Sequence, residues 1–147
     1  MLPAQYHILM LEDDPDDQNF TYAALQELRT DIPIHFLSRT EDLEAAIAER
    51  PPLLILIDYN IQPQNGLDVV TSLKSNPAYR HIPVILLGDT DAPEFVARCY
   101  RSGVNTYAIK PSTLEATKAR ISLFFRYWLE VAELGVPLPS NQTAEQQ

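Results

Sequence analysis

LLILIDYN, residues 53–60, decides the fold. Aliphatic residues run without interruption up to an acid, with no alternation of polar and apolar positions. A run that short and continuous marks a strand covered on both faces. Working outward, HILMLE at 7–12, IPIHFLS at 32–38, PVILLG at 83–88 and TYAIK at 106–110 share its character. The stretches between them have helical spacing. The first helix opens near Pro15 and carries Phe20, Ala24, Leu25 and Leu28 on one stripe. The second follows Thr40 as N-cap, with Leu43, Ala46 and Ile47 on one face. The third runs from about Leu67 through Leu73 and stops before Asn76 and Pro77. The fourth covers 93–101 and ends at Gly103, and the fifth starts behind Pro111, capped by Ser112 or Thr113, and reaches Leu134. Strand and helix alternate throughout, which predicts an α/β protein with a doubly wound parallel sheet and helices on both faces.

The chain has 147 residues, enough for one domain with a real core, here 5–134, followed by a polar, proline-bearing tail at 135–147 with little expected order. With 46% hydrophobic and 21% charged residues the composition is that of a soluble globular protein. No segment approaches the roughly 20 apolar residues of a membrane span. The first residues lack the basic start of a signal peptide, so a cytoplasmic protein is expected. Cys99 stands alone, which excludes an internal disulfide and predicts a buried or half-buried structural thiol. The net charge of −9 opposes contact with nucleic acid or an anionic membrane surface. From Glu12 to Asp17, five of six residues are acidic, the exception being Pro15. Alone, such a run reads as a solvated helix start, since acids favour the positive end of a helix.

In an open sheet of this kind ligands bind beyond the carboxyl ends of the strands. The first strand ends in Glu12, Asp13 and Asp14, the third in Asp58, Tyr59 and Asn60, the fifth in Lys110 and Pro111. Crowded carboxylates oppose one another's ionisation, and a hard cation held by oxygens removes that cost. Asp13, Asp14 and Asp58 can supply such a site for Mg²⁺ or Mn²⁺. A carboxylate can also attack phosphorus when positive charge neutralises the phosphoryl oxygens, and the metal and Lys110 are the available charges. His7, His35 and His81 are scattered and receive no role.

These residues carry a resemblance. LEDD at 11–14, LILIDYN at 54–60, Gly66 eight positions after Asp58, PVILL at 83–87 and TYAIKP at 106–111 resemble the bacterial response-regulator receiver domain, over about residues 5–130. The resemblance implies a flavodoxin-like (βα)5 fold with strand order 2-1-3-4-5. It implies Asp58 as phosphoacceptor, Asp14 as direct metal ligand, Asp13 as ligand mostly through water, and Asn60 as ligand through its backbone carbonyl. Lys110 would contact the phosphoryl group, across a bond to Pro111 that is often cis in the family. Tyr107 would couple phosphorylation to the fourth helix and fifth strand. The implied partner is a sensor histidine kinase or phosphotransfer protein, and the implied role is signalling by protein contact, with no output domain and no turnover of a free substrate.

Two positions depart from the family. Gly88 stands where a Ser or Thr usually binds the phosphoryl group, so its backbone N–H or the hydroxyl of Thr90 would have to substitute. Pro63 lies five residues after Asp58, where four is common. Gly88 supports an alternative reading, a receiver-fold binding or dimerisation module independent of phosphorylation. A metal-dependent phosphohydrolase would want an acid two residues after its nucleophile, where Asn60 stands.

The fifth helix is long for the family and rich in aromatics. Phe124, Phe125, Tyr127 and Trp128 exceed what one stripe can bury, and the surplus predicts an interface, such as a homodimer through the fourth helix, fifth strand and fifth helix. The FFRYWLEV stretch resembles phytochrome-associated single-domain regulators.

Overall fold

The structure is a computed structural model and describes residues 6–29, 31–110 and 113–134. The expectations for the 135–147 tail and for the bond to Pro111 fall outside these residues. In chain order the elements are β1 (Ile8–Leu11), α1 (Pro15–Leu28), β2 (Ile34–Leu37), α2 (Leu43–Glu49), β3 (Leu54–Asp58), α3 (Gly66–Ser75), β4 (Val84–Gly88), α4 (Pro93–Arg101), β5 (Thr106–Ile109) and α5 (Leu114–Arg126). The strands form one parallel sheet in the order β2-β1-β3-β4-β5, the arrangement the resemblance implies.

Alternation along the strands divides the core. Ile8, Met10, Leu54, Leu56, Ile85 and Leu87 face Ala24 and Leu25 of α1 and Ile121 and Phe125 of α5. Leu9, Leu11, Ile55, Ile57, Val84 and Leu86 face α2, α3 and α4 through Leu43, Ile47, Val70, Leu73 and Cys99. Each such side chain contributes about 1.5–3 kcal/mol on burial, so these two layers hold the sheet in register. Only β1, β3 and β4 are buried throughout. The outer strands β2 and β5 are half-buried, because a strand at the sheet edge has a neighbour on one side alone.

Local signals account for most element ends. Asn65 caps α3 by accepting the N–H of Asp68, and Thr113 caps α5 by accepting that of Ala116. Gly103 takes a φ of 107° just past α4, the left-handed position expected of it. Three expectations needed correction. Thr40 does not cap α2: residues 40–42 form a 3-10 turn, and the Thr40 hydroxyl accepts the Gln64 N–H at 3.2 Å. On α1 Thr21 joins Ala24 and Leu25 as a buried residue, while Phe20 is only half-buried. The fifth helix does not continue regularly to Leu134, because residues 127–131 widen into a π-turn.

Candidate functional site

Lys110 follows β5 directly, and its ammonium reaches back to the ends of β1 and β3. Nζ donates to Glu12 Oε1 at 2.8 Å, to Asp17 Oδ2 at 2.8 Å and to Asp58 Oδ2 at 3.2 Å. The backbone fixes this reach, since the Lys110 N–H donates to the Gly88 carbonyl at 2.8 Å and extends the β4–β5 ladder by one residue.

Asp58 closes β3 and is 6% exposed. The Asn60 N–H donates to its Oδ1 at 3.1 Å, so the loop turns back on the carboxylate it presents. Gly66 allows that loop to close, having no Cβ to obstruct a close approach. Its N–H donates to the Tyr59 carbonyl at 2.8 Å. A Cβ there would stand 2.8 Å from Tyr59 Cα and 2.9 Å from the Asp58 carbonyl oxygen. The Gln62–Pro63 peptide bond in this loop is cis.

The acidic pair differs from the one expected. Glu12, Asp13 and Asp58 each offer a carboxylate oxygen, and these oxygens lie within 4.8 Å of one another. Asp14, expected as the direct metal ligand, is the N-cap of α1, with Oδ1 accepting the Asp16 N–H at 2.8 Å. The residue missed is Glu12. Its N–H still joins the ladder to the Leu37 carbonyl at 3.0 Å, and Gln18 Nε2 donates to its carbonyl at 2.6 Å. Its side chain is therefore drawn under the rim and is fully buried. Burial pushes the Glu12 carboxyl up to about 7, against the pull of the Lys110 ammonium, and the neighbouring Asp58 charge pushes the same way. Burial alone would lower Lys110, but its bonds to Asp17 and Glu12 and the charges of Glu12 and Asp58 raise it on balance. The donors are hard carboxylate oxygens, the set that suits Mg²⁺ or Mn²⁺.

Tyr107 points inward, 9% exposed, and its hydroxyl donates to the Thr90 carbonyl at 2.7 Å. The Thr90 hydroxyl accepts the Ala92 N–H at 3.2 Å in the turn that opens α4. Sequence reading did not single out the aromatic chain beside it. Tyr59 meets Phe95 edge to face with ring centres 5.2 Å apart, a favoured geometry for aromatic pairs. Phe95 meets Tyr107 in the same way at 5.6 Å. The residue after Asp58 thus touches β5 through one ring of α4.

The four aromatics of the fifth helix separate. Phe125, expected at an interface, is 0% exposed and sits in the core against α1. Phe124 and Trp128 are half-buried against that core, while Tyr127 is exposed together with Leu123 and Val131. Cys99 is buried, as expected. No described helix is long and apolar enough to cross a membrane.

"Probable methanogenesis regulatory protein FilR2" of Methanothrix harundinacea is 31% identical over 78 residues, 53% of this chain, and the chain spans 50% of that longer protein. "Response regulator Rcp1" of Synechocystis sp. is 28% identical over 137 residues, covering 86% of this chain and 91% of that protein. A crystal structure of the Mn(2+)-bound form of Rcp1 superposes with a TM-score of 0.81 at 26% identity, covering 88% of this chain and 99% of that one. The sequence pattern described as the response regulator receiver domain matches residues 8–122, which contain both the acidic cluster and Lys110. With that pattern spanning most of its length, the chain belongs to the response regulator receiver domain family.

Proposed function

We propose that the chain is a phosphoacceptor switch in which Asp58 takes a phosphoryl group from a sensor histidine kinase or a phosphotransfer protein. One observation carries the reading: Lys110 Nζ lies 3.2 Å from Asp58 Oδ2, beside the oxygens of Glu12 and Asp13. An Asp58 oxygen attacks phosphorus, the O–P bond forms, the P–N bond of the donor's phosphohistidine breaks, and the imidazole leaves with its electron pair. Glu12, Asp13 and Asp58, with the Asn60 carbonyl, are the residues that would hold Mg²⁺ or Mn²⁺. When bound, that ion neutralises charge on the phosphoryl oxygens. Lys110 shares this task. Asn60, standing where a hydrolase of this chemistry would have a general acid, supports a switch rather than a turnover enzyme.

The phosphorylated protein then signals by contact. The face formed by α4, β5 and α5 is the natural surface for a partner or a second copy, since Tyr107 and Phe95 underlie it and Tyr127 is exposed beside it. Incubation with a small phosphodonor and Mg²⁺, followed by intact mass, tests the chemistry. Native protein should gain one phosphoryl mass and Asp58→Asn none. Absence of any gain in native protein would overturn the reading.

A further inference from the structure

Of the three carboxylates bonded to Lys110, Asp17 is the one that the phosphoacceptor reading does not use. It is the third residue of α1, counting from Pro15 behind the Asp14 cap. In a capping box a Glu or Gln at that position reaches back to accept the N–H of the capping residue. Here the Asp14 N–H donates to Glu12 Oε2 at 3.2 Å, which leaves the Asp17 carboxylate free of that duty. Its Oδ2 turns instead to Lys110 Nζ at 2.8 Å. The turn that presents it is tied down, since the buried Thr21 hydroxyl donates to the Asp17 carbonyl at 2.9 Å.

A lysine ammonium has three N–H groups, and here each finds a carboxylate. The two bonds of 2.8 Å go to Glu12 and Asp17, and the longest, 3.2 Å, goes to Asp58. Asp17 thus draws the ammonium toward α1 and away from the phosphoacceptor. A phosphoryl group on Asp58 brings oxygens that need the same donor. Glu12 is fully buried and tied to the Asp14 N–H, whereas Asp17 is 27% exposed and can be rehydrated when its partner leaves. Asp17 is the carboxylate that can release the lysine.

We infer that Asp17 is a positioning residue that holds Lys110 on the α1 side and sets how readily the ammonium passes to the phosphoryl group. This rests on Asp58 as phosphoacceptor. Its bond to Lys110 opposes the transfer, so weakening that bond speeds the chemistry.

The experiment compares rates of acyl phosphate formation from acetyl phosphate and Mg²⁺ in four proteins: native, Asp17→Asn, Asp17→Glu and Asp16→Asn. Asp16→Asn removes the same charge from the same helical turn, and the structure gives its carboxylate no bond to Lys110. At about 0.5 M salt, long-range field effects on an anionic donor are largely screened while a contact between partly buried groups persists. Under those conditions Asp17→Asn should react about five-fold faster than native protein, the size expected from losing one partly screened ion pair. Asp16→Asn and Asp17→Glu should stay within about two-fold of native. Equal rates for Asp17→Asn and Asp16→Asn, or a slower Asp17→Asn, would overturn the inference while leaving the phosphoacceptor reading intact. Absence of acyl phosphate in all four proteins would overturn both.

Discussion

The ring of Tyr107 occupies the space that a side chain at Gly88 would claim. A Cβ built on Gly88 would stand 2.8 Å from Cε1 and 2.9 Å from Cζ of that ring, closer than real Cβ atoms come. In the sequence Gly88 reads as a missing hydroxyl. The structure adds a second meaning, because the absent side chain makes room for the inward tyrosine.

Restoring a side chain at 88 should therefore conflict with Tyr107 before it helps any phosphoryl group. Gly88→Ala and Gly88→Thr should each lose about 1–3 kcal/mol by overpacking or by expelling the ring. In a Tyr107→Ala background, Gly88→Ala should cost less than about 0.5 kcal/mol, a non-additivity that urea unfolding of the four proteins would read. Additive losses would mean that the two residues do not compete.

The Glu12 carboxyl gives the protein a pH signature. Its folded pKa is raised to about 7 by burial, above its unfolded value, so its contribution to stability is complete below the unfolded pKa. That contribution is lost as pH rises from about 4.5 through about 7, a change of roughly 1–3 kcal/mol in the absence of divalent metal. Urea midpoints at pH 5.5 and 8 in a chelator should differ accordingly. Glu12→Gln, neutral at both, should shrink the difference, and Mg²⁺ should restore stability at pH 8. His7, whose pKa burial lowers, acts in the opposite sense over this range, so the comparison with Glu12→Gln decides, and a pH difference unchanged by that substitution would contradict the assignment.

Asp13 and Asp14 are neighbours with different work. Asp14→Ala removes a helix cap and should cost about 1 kcal/mol of stability while leaving divalent affinity within about two-fold. Asp13→Asn should weaken Mn²⁺ binding about ten-fold or more, with little effect on unfolding. Calorimetric titration with Mn²⁺ checks both. A large loss of affinity in Asp14→Ala would restore the motif reading.

The aromatics of the last helix should behave as opposites. Phe125→Ala leaves a cavity in a close-packed layer and should cost about 3–5 kcal/mol. Tyr127→Ala should stay within about 0.5 kcal/mol of native stability, since the ring is half-exposed. Any dependence of self-association on Tyr127, read by sedimentation, would mark that face as a contact between copies.

Much of this was legible because burial leaves a mark on sequence. The continuous runs at 54–57 and 84–87 had to be central strands, and acids or a lysine just behind such runs had to sit at the rim. Asp58 follows from that alone, whereas Lys110 stands behind a half-buried outer strand and took the motif TYAIKP as well. Glu12 was missed because LEDD does not say where the ladder ends; the bond of the Glu12 N–H to Leu37 decides it and moves the acidic pair one residue earlier. Phe124 and Phe125 could not be told apart because a helix turns about 100° per residue, and which one faces the core depends on where α5 starts. The inward pose of Tyr107 depends on what residue 88 lacks, a pairing between strands that no local pattern displays.

Lys110 and Glu12 are 98 residues apart in the chain, and Lys110 and Asp58 are 52 apart. A site closed by such distant contacts assembles last, after the chain has met the entropy of joining its two ends. During synthesis Asp58 emerges long before its lysine, and no fragment that ends ahead of Lys110 holds the ammonium in place. Competence to receive a signal is thus a property of the finished domain, and a chain cut short of Lys110 should be silent rather than mistaken.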